Sequence, residues 1–454
     1  MDKDQINQEN QYTTDWKPRR VKPVVNTSAL NAKDKAKQYL NAGTADQLLV
    51  PFIQESKTEG LITDTDGNEY VDCICAWGAE PWGSQHPEIR KAMIEAWYQH
   101  GAQISCSILS TPVLGLAQKL VSLSPENITR AEFSVTGTQA VESAVRLMRS
   151  VTGKSVILVF GPVYHGESTT LTAAMSSDST HVSKGVHALA PGIIHVPYPS
   201  QSKSPFRKNE KGNSEDILTY LDWITRYQIV VDQIAGVVIE PVTTEGGVYT
   251  PDQYFWDNLQ KKCKENNWLL CIDEVQTGMG RCGEILAIHL GDTIQPDLII
   301  LGKGISGGGM PISAVLGSEK VMGNSTISQG STFGWQPAAC AAALASINIL
   351  TKPETLHYVK FMGEKAKQIL NPLIGEGKAK AVRAVGAEIA VEYEHFRENG
   401  TNRTIFLENY LLENGVVAMW DESKPFIRLQ PALNLHPVLW EYALQTLAQG
   451  LRES

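Results

Sequence analysis

Residues 268–274, Trp-Leu-Leu-Cys-Ile-Asp-Glu, run five apolar side chains into two carboxylates, and residues 298–303, Leu-Ile-Ile-Leu-Gly-Lys, run four through a glycine into a lysine. Apolar runs this short are what strands buried on both faces look like. From about Arg130 to Leu316 such runs alternate with longer helical patterns, which predicts an α/β core, a parallel sheet covered by helices. The expected strands are 156–160, 234–239, 268–272, 298–301 and 312–316, and Tyr254, Phe255, Leu259 and Cys263 mark a helix face between two of them. Open parallel sheets bind ligands at the carboxyl ends of their strands. Three of these runs end in charge there, at Glu240, at Asp273 with Glu274, and at Lys303. Singly, each is an ordinary helix cap or rim charge; together they point to a site.

Two other chemistries share these fragments. An apolar strand ending in Asp-Glu also occurs in ATPases, but that reading needs a P-loop. The Gly-Lys-Ser at 153–155 has Met148 in place of the first glycine and precedes a strand instead of following one. Residues 304–308, Gly-Ile-Ser-Gly-Gly, match a hydrolase nucleophile elbow in form, yet Gly307, Gly308, Gly309 and Pro311 break the helix that must follow. Gly137-Thr138, by contrast, opens a helical pattern with Ala140, Val141, Ala144, Val145 and Met148 on one side. A helix start beside a glycine offers free N–H groups and a positive dipole end to a phosphate. With a lysine and an aspartate at strand ends, it supplies the phosphate cradle, amine and pyridinium partner that a pyridoxal phosphate site needs.

Bulk properties fit small-molecule chemistry. At 454 residues the chain exceeds what one core usually supports. A net charge of -9 argues against a nucleic-acid partner, which needs clustered Lys and Arg. No apolar run is long enough to span a bilayer, and residues 1–20 are polar and of mixed charge, unlike a secretory signal. Seven scattered cysteines, at 73, 75, 106, 263, 271, 282 and 340, form no disulfide framework, which suggests a reducing cytoplasm. Cys73 and Cys75 lack the second ligand pair of a zinc site, so no metal is expected. The polar stretch 200–214 is expected to be a loop.

From roughly Gly67 to Leu433 the residues resemble the class III aminotransferases, the ornithine and ω-amino acid type. SVTGTQA (134–140) resembles the family's phosphate loop, GPVYHGES (161–168) its stacking loop, EPVTTEGG (240–247) its glutamate segment, CIDEVQTGMGR (271–281) its pyridine strand, LGKGISGGGMPISAV (301–315) its lysine segment, and STFGWQPAACAAALA (331–345) completes the set. The resemblance implies a fold type I enzyme, a mostly parallel sheet in a large pyridoxal-phosphate-binding domain (96–339). A smaller α+β domain would come from both chain ends (46–95 plus 340–454), after an N-terminal arm (1–45).

The same resemblance implies a reaction, transfer of an amino group from an amino acid or amine to an oxo acid by way of pyridoxamine phosphate, with related isomerases and a decarboxylating member as alternatives on the same scaffold. Lys303 would be the Schiff-base lysine and proton shuttle, and Asp273 would keep the pyridine nitrogen protonated. Tyr164 and Val275 would sandwich the ring, though both also suit ordinary core packing. Gln276 would lie near the phenolic oxygen, and His165 and Glu240 complete the cofactor-binding set. Gly137 and Thr138 would take the phosphate, as would Thr332 from the neighbouring subunit of a homodimer. Arg428 resembles the arginine that clasps a substrate carboxylate, and Glu245 the glutamate that pairs with it when an ω-amine enters. Those relatives carry an arginine directly after the His-Gly of the stacking loop, where this chain has Glu167, which could face a cationic or hydroxylated substrate end or solvent. Trp77 aligns with a pocket-lining position and is equally a common core residue type. Val135 and Gln139 stand where relatives carry polar and acidic residues, a hint of a divergent branch.

Overall fold

The computed structural model describes residues 12–21, 32–46, 48–58, 60–101, 107–177, 190–200, 205–206, 213–291, 294–323, 325–327, 331–397 and 400–454. Residues 1–11 and 22–31 of the expected arm, Cys106, and residues 201–204 and 207–212 of the expected loop lie outside them.

The described chain divides into two compact units, residues 87–356 and residues 1–86 with 357–454. The first is built on a seven-stranded sheet of β1 (Ile128–Ser134), β2 (Val156–Gly161), β3 (Ile193–Pro197), β4 (Ile234–Ile239), β5 (Leu269–Glu274), β6 (Leu298–Leu301) and β7 (Ser313–Ser318). Their spatial order is β1-β7-β6-β5-β4-β2-β3. β6-β5-β4-β2-β3 pair in parallel, and β7 runs antiparallel to both of its neighbours, β6 and β1. β4, β5 and β6 are buried at every residue, which is why their sequences are unbroken apolar runs and not alternating ones.

The helix Gly137–Thr152 follows β1 and is specified from both ends. Thr136 and Gln139 form a reciprocal capping box at its start, and Gly153 closes it in the left-handed region. The expected face, Ala140, Val141, Ala144, Val145 and Met148, is buried against β-strand residues including Ile157, Val238 and Ile300. The helix Gln253–Asn266 forms as its periodicity suggests, with one correction. Its buried face is Phe255, Trp256, Leu259 and Cys263, whereas Tyr254 is 53% exposed, because one residue before Phe255 the helix has already turned about 100° away from the sheet.

The second unit is α+β. A four-stranded sheet joins Gln54–Thr58, Leu61–Asp64 and Glu69–Asp72 to Val416–Val417, and a three-stranded antiparallel sheet joins Ala381–Val385, Glu388–Glu392 and Phe426–Leu429. Its helices include Arg403–Glu413 and Pro437–Glu453. The joints between units fall at 86/87 and 356/357, whereas the sequence places them at 95/96 and 339/340. The shift arises because helices Pro87–His100 and Pro337–Leu350 both belong to the unit of the large sheet: Gly309, just before β7, leaves no room for a side chain against Ala342 and lies close to Ile89.

Candidate active site

Parallel pairing sets the carboxyl ends of β4, β5 and β6 side by side, with Ile239 opposite Ile272 and Asp273 opposite Ile300. A cleft with about 620 Å³ of empty space opens there, lined by residues from the expected segments: Gly137, Thr138, Tyr164, His165, Glu240, Asp273, Val275, Gln276 and Lys303. Thr136, Val141, Gly166 and Thr244 also line it. Thr136 was legible as the cap of the helix, since Thr-x-x-Gln is a capping signature; Thr244 carries no such signal.

Lys303 opens a single 3-10 turn, Lys303–Ser306, directly after Gly302. Its φ of +42° is a left-handed conformation that a side chain adopts only when its surroundings impose it. Its Nζ donates to Gln276 Oε1. The other end of that amide, Gln276 Nε2, is buried without a protein partner.

Asp273 is buried and accepts at both oxygens: Val275 N–H at 2.9 Å on Oδ1, and His165 Nδ1 at 2.6 Å on Oδ2. His165 is itself fixed by Ser176 Oγ, which accepts from the His165 backbone N–H at 2.9 Å. Burial, reinforced by the neighbouring Asp273 carboxylate, holds the Glu240 carboxyl well above the usual carboxylate range, against the lowering effects of Thr244 N–H and Lys303. Glu274 shares the end of β5 but turns away from the cleft. Its carboxylate accepts from Ala287 N–H at 2.6 Å and Ile288 N–H at 2.9 Å, and burial raises its pKa from 4.5 to about 7.

The helix start is shaped for an anion. Gln139 Oε1 accepts the N–H groups of Val135 and Thr136, and Thr136 Oγ1 accepts that of Gln139, so the cap satisfies the outer donors while Gly137 and Thr138 border the cleft. Two glycines keep the cradle open. A Cβ on Gly137 would stand 3.0 Å from Val275 Cγ1, and one on Gly166, whose φ is +104°, would stand 2.4 Å from Thr138 Oγ1.

Tyr164 enters from the stacking loop. Burial, then the charges of Glu167 and Glu245, push its hydroxyl pKa up to about 12, so both carboxylates act on the Tyr164 end of the cleft. Glu167 is exposed and Glu245 buried. Thr332 is exposed and is not among the lining residues.

Trp77 and Arg428 belong to the other unit. Trp77 is 37% exposed and sits in a left-handed stretch with Cys75 and Ala76, φ +45°, +51° and +58°. Asp72 Oδ1 clamps that stretch by accepting from Ile74 and Cys75 N–H, each at 2.9 Å. Arg428 is buried on Phe426–Leu429 with Glu388 beside it. Among the described residues no group of three or more His, Cys, Asp or Glu could hold a metal ion, and no helix is long and apolar enough to cross a membrane.

An amine, a buried carboxylate beyond it, an unpartnered amide N–H and a helix N-terminus in one cleft fit a phosphorylated pyridine aldehyde. They lie at the strand ends of an α/β sheet, where such sheets bind ligands. Residues 42–451 match the Aminotransferase class-III family model, and the chain belongs to that family. It is a pyridoxal-phosphate-dependent aminotransferase that transfers an amino group to an oxo acid. The putrescine aminotransferase of Pectobacterium atrosepticum is 31% identical over 382 residues, 82% of this chain and 76% of that protein. Solved structures share the fold, two of them as follows. An amine transaminase from an uncultivated Pseudomonas species in its pyridoxal-phosphate-bound form has a TM-score of 0.81 at 23% identity, covering 88% of this chain and 95% of that one. The ornithine aminotransferase of Toxoplasma gondii has a TM-score of 0.77 at 21% identity, covering 92% and 94%.

Proposed function

We propose that Lys303 carries the cofactor and moves the proton at the substrate's reacting carbon, and that the amino donor is an amine or diamine with a cationic far end. When bound, pyridoxal phosphate supplies the electron sink that lets that carbon lose a proton. Asp273 would hold the proton on the pyridine nitrogen, its carboxylate plane set by Val275 N–H on Oδ1 and His165 on Oδ2. Gln276, whose Oε1 accepts from Lys303, would offer its Nε2 N–H to the ring's phenolic oxygen. Tyr164 and Val275 would hold the ring plane. Gly137, Thr138 and the helix N-terminus would hold the phosphate, with Thr332 supplied by a second copy in a homodimer.

The donor assignment is supported by the two carboxylates, Glu167 and Glu245, that act on the Tyr164 hydroxyl, since an ammonium group entering there meets negative charge. The relative named putrescine aminotransferase supports it independently. Trp77 would wall the substrate pocket, and Arg428 would take the carboxylate of the oxo acid. The free cysteines at 73, 75, 263, 271, 282 and 340 support a reducing, cytoplasmic setting.

The observation that carries the reading is Lys303 in its imposed left-handed turn, with the Asp273–His165 pair across the same cleft. Its test is the absorbance of the purified protein titrated with putrescine and other amines without an oxo acid. A band near about 410–430 nm that moves toward about 330 nm with a diamine supports it; no band after reconstitution, or conversion only by α-amino acids, contradicts it.

A further inference from the structure

In the unit formed by both chain ends, the strands Glu388–Glu392 and Phe426–Leu429 pair antiparallel, with Ile389 opposite Leu429 and Ala390 opposite Arg428. Ile389, Ile427 and Leu429 share one face of this pair, and the register gathers three buried polar side chains on the other. Glu388 and Gln430 are 0% exposed and Arg428 is 4% exposed. Gln430 Nε2 donates to both carboxylate oxygens of Glu388, at 2.6 and 2.7 Å, and Arg428 Nη1 stands 3.8 Å from Glu388 Oε1.

The distances separate two roles. At 3.8 Å the Arg428–Glu388 pair compensates charge without a hydrogen bond between those two atoms. A guanidinium buried this deeply is costly without a counter-charge, and Glu388 supplies one from within the same sheet. Because the Gln430 amide occupies both oxygens, the carboxylate is tied in place and is not free to fold onto the arginine as a bidentate partner.

We propose that Glu388, held by Gln430, is a resident counter-ion that weakens Arg428 as a carboxylate binder and so favours donors that bring no carboxylate to it. This rests on the reading of Arg428 as the group that takes the substrate carboxylate. An oxo acid must share the guanidinium with a fixed negative charge. An amine or diamine leaves the arginine compensated, and no second acidic group has to move in to neutralise it.

The test is the calorimetric Kd of the holoenzyme for pyruvate and 2-oxoglutarate, which requires no turnover. Glu388→Gln keeps an acceptor for Gln430 and removes the charge; both Kd values should fall about tenfold. The double variant Glu388→Gln with Gln430→Glu returns a carboxylate to the same pocket from the neighbouring strand and should restore the wild-type Kd, which a purely structural role would not do. Unchanged Kd values in Glu388→Gln with a lowered melting temperature mean that Glu388 only locks the strands, and the proposal is wrong. Should Glu388→Gln fail to fold while the double variant folds, a wild-type Kd in the latter supports the proposal and an altered one overturns it. Arg428→Gln separates the two layers. If it leaves oxo-acid binding intact, the placement of Arg428 at the substrate fails; if it abolishes binding while Glu388→Gln changes nothing, only the counter-ion role fails.

Discussion

Asp273 Oδ2 and His165 Nδ1 lie 2.6 Å apart with both side chains buried, and Val275 N–H takes the other Asp273 oxygen. The imidazole therefore aims the carboxylate. His165→Leu removes that partner and is expected to lower kcat about 10- to 100-fold, as loss of the outer partner of a catalytic ligand does elsewhere. Cofactor binding should survive, and the pH profile of kcat should change. Steady-state kinetics across pH checks both, and an unchanged profile would make His165 a packing residue.

Gly166 packs so closely on Thr138 that a side chain cannot be added without moving the residue proposed to hold the phosphate. Gly166→Ala should weaken cofactor retention by an order of magnitude or more, about 1.4 kcal/mol per tenfold, while leaving the fold intact by circular dichroism. Equilibrium dialysis against pyridoxal phosphate measures it.

Glu274 gives a pH signature of stability. Its carboxyl, at 4.5 when unfolded, rises to about 7 when buried. Between those values the folded state holds the proton and the unfolded state does not. The stability this confers is full below pH 4.5 and is lost as pH rises through 7, on the order of 3 kcal/mol in total. Glu240, raised in the same direction by burial and by the Asp273 carboxylate, adds to the loss of stability as pH rises. Urea unfolding between pH 5 and 8 should show a midpoint that drops with pH, and Glu274→Gln should flatten the slope.

Glu167 is exposed and its charge acts on the Tyr164 hydroxyl, where the proposed donor would bring its cationic end. Glu167→Arg should raise KM for putrescine about tenfold or more, with less effect on a monoamine of similar length. Equal KM changes for both donors would place Glu167 in solvent instead.

Much of the cleft was legible because strand burial and charge coincide. Trp268 to Glu274 and Leu298 to Lys303 each announce a buried strand and the group at its end, and β4 matches the expected 234–239. β1 and β3 escaped notice. Ile-Thr-Arg-Ala-Glu-Phe-Ser mixes polar residues through a flank strand, and Ile193–Pro197 is only half buried. The direction of β7, antiparallel to both neighbours, follows from the glycine loop that returns the chain after Lys303, and no residue pattern within Ser313–Ser318 encodes it. Glu274 looked like a site residue because alternation along a strand says which side a residue takes only when one face is polar; in a strand buried on both faces it is silent. The Glu388–Gln430–Arg428 cluster was invisible for a different reason, since it depends on the register of two strands 38 residues apart, with Ala390 opposite Arg428.

The most direct test of Lys303 as the cofactor lysine is borohydride reduction of the holoenzyme followed by peptide mass mapping. One pyridoxyl-labelled peptide is expected, with the label on Lys303, and no label in Lys303→Ala. A label on any other lysine, or a Lys303→Ala protein that keeps full activity, would contradict it.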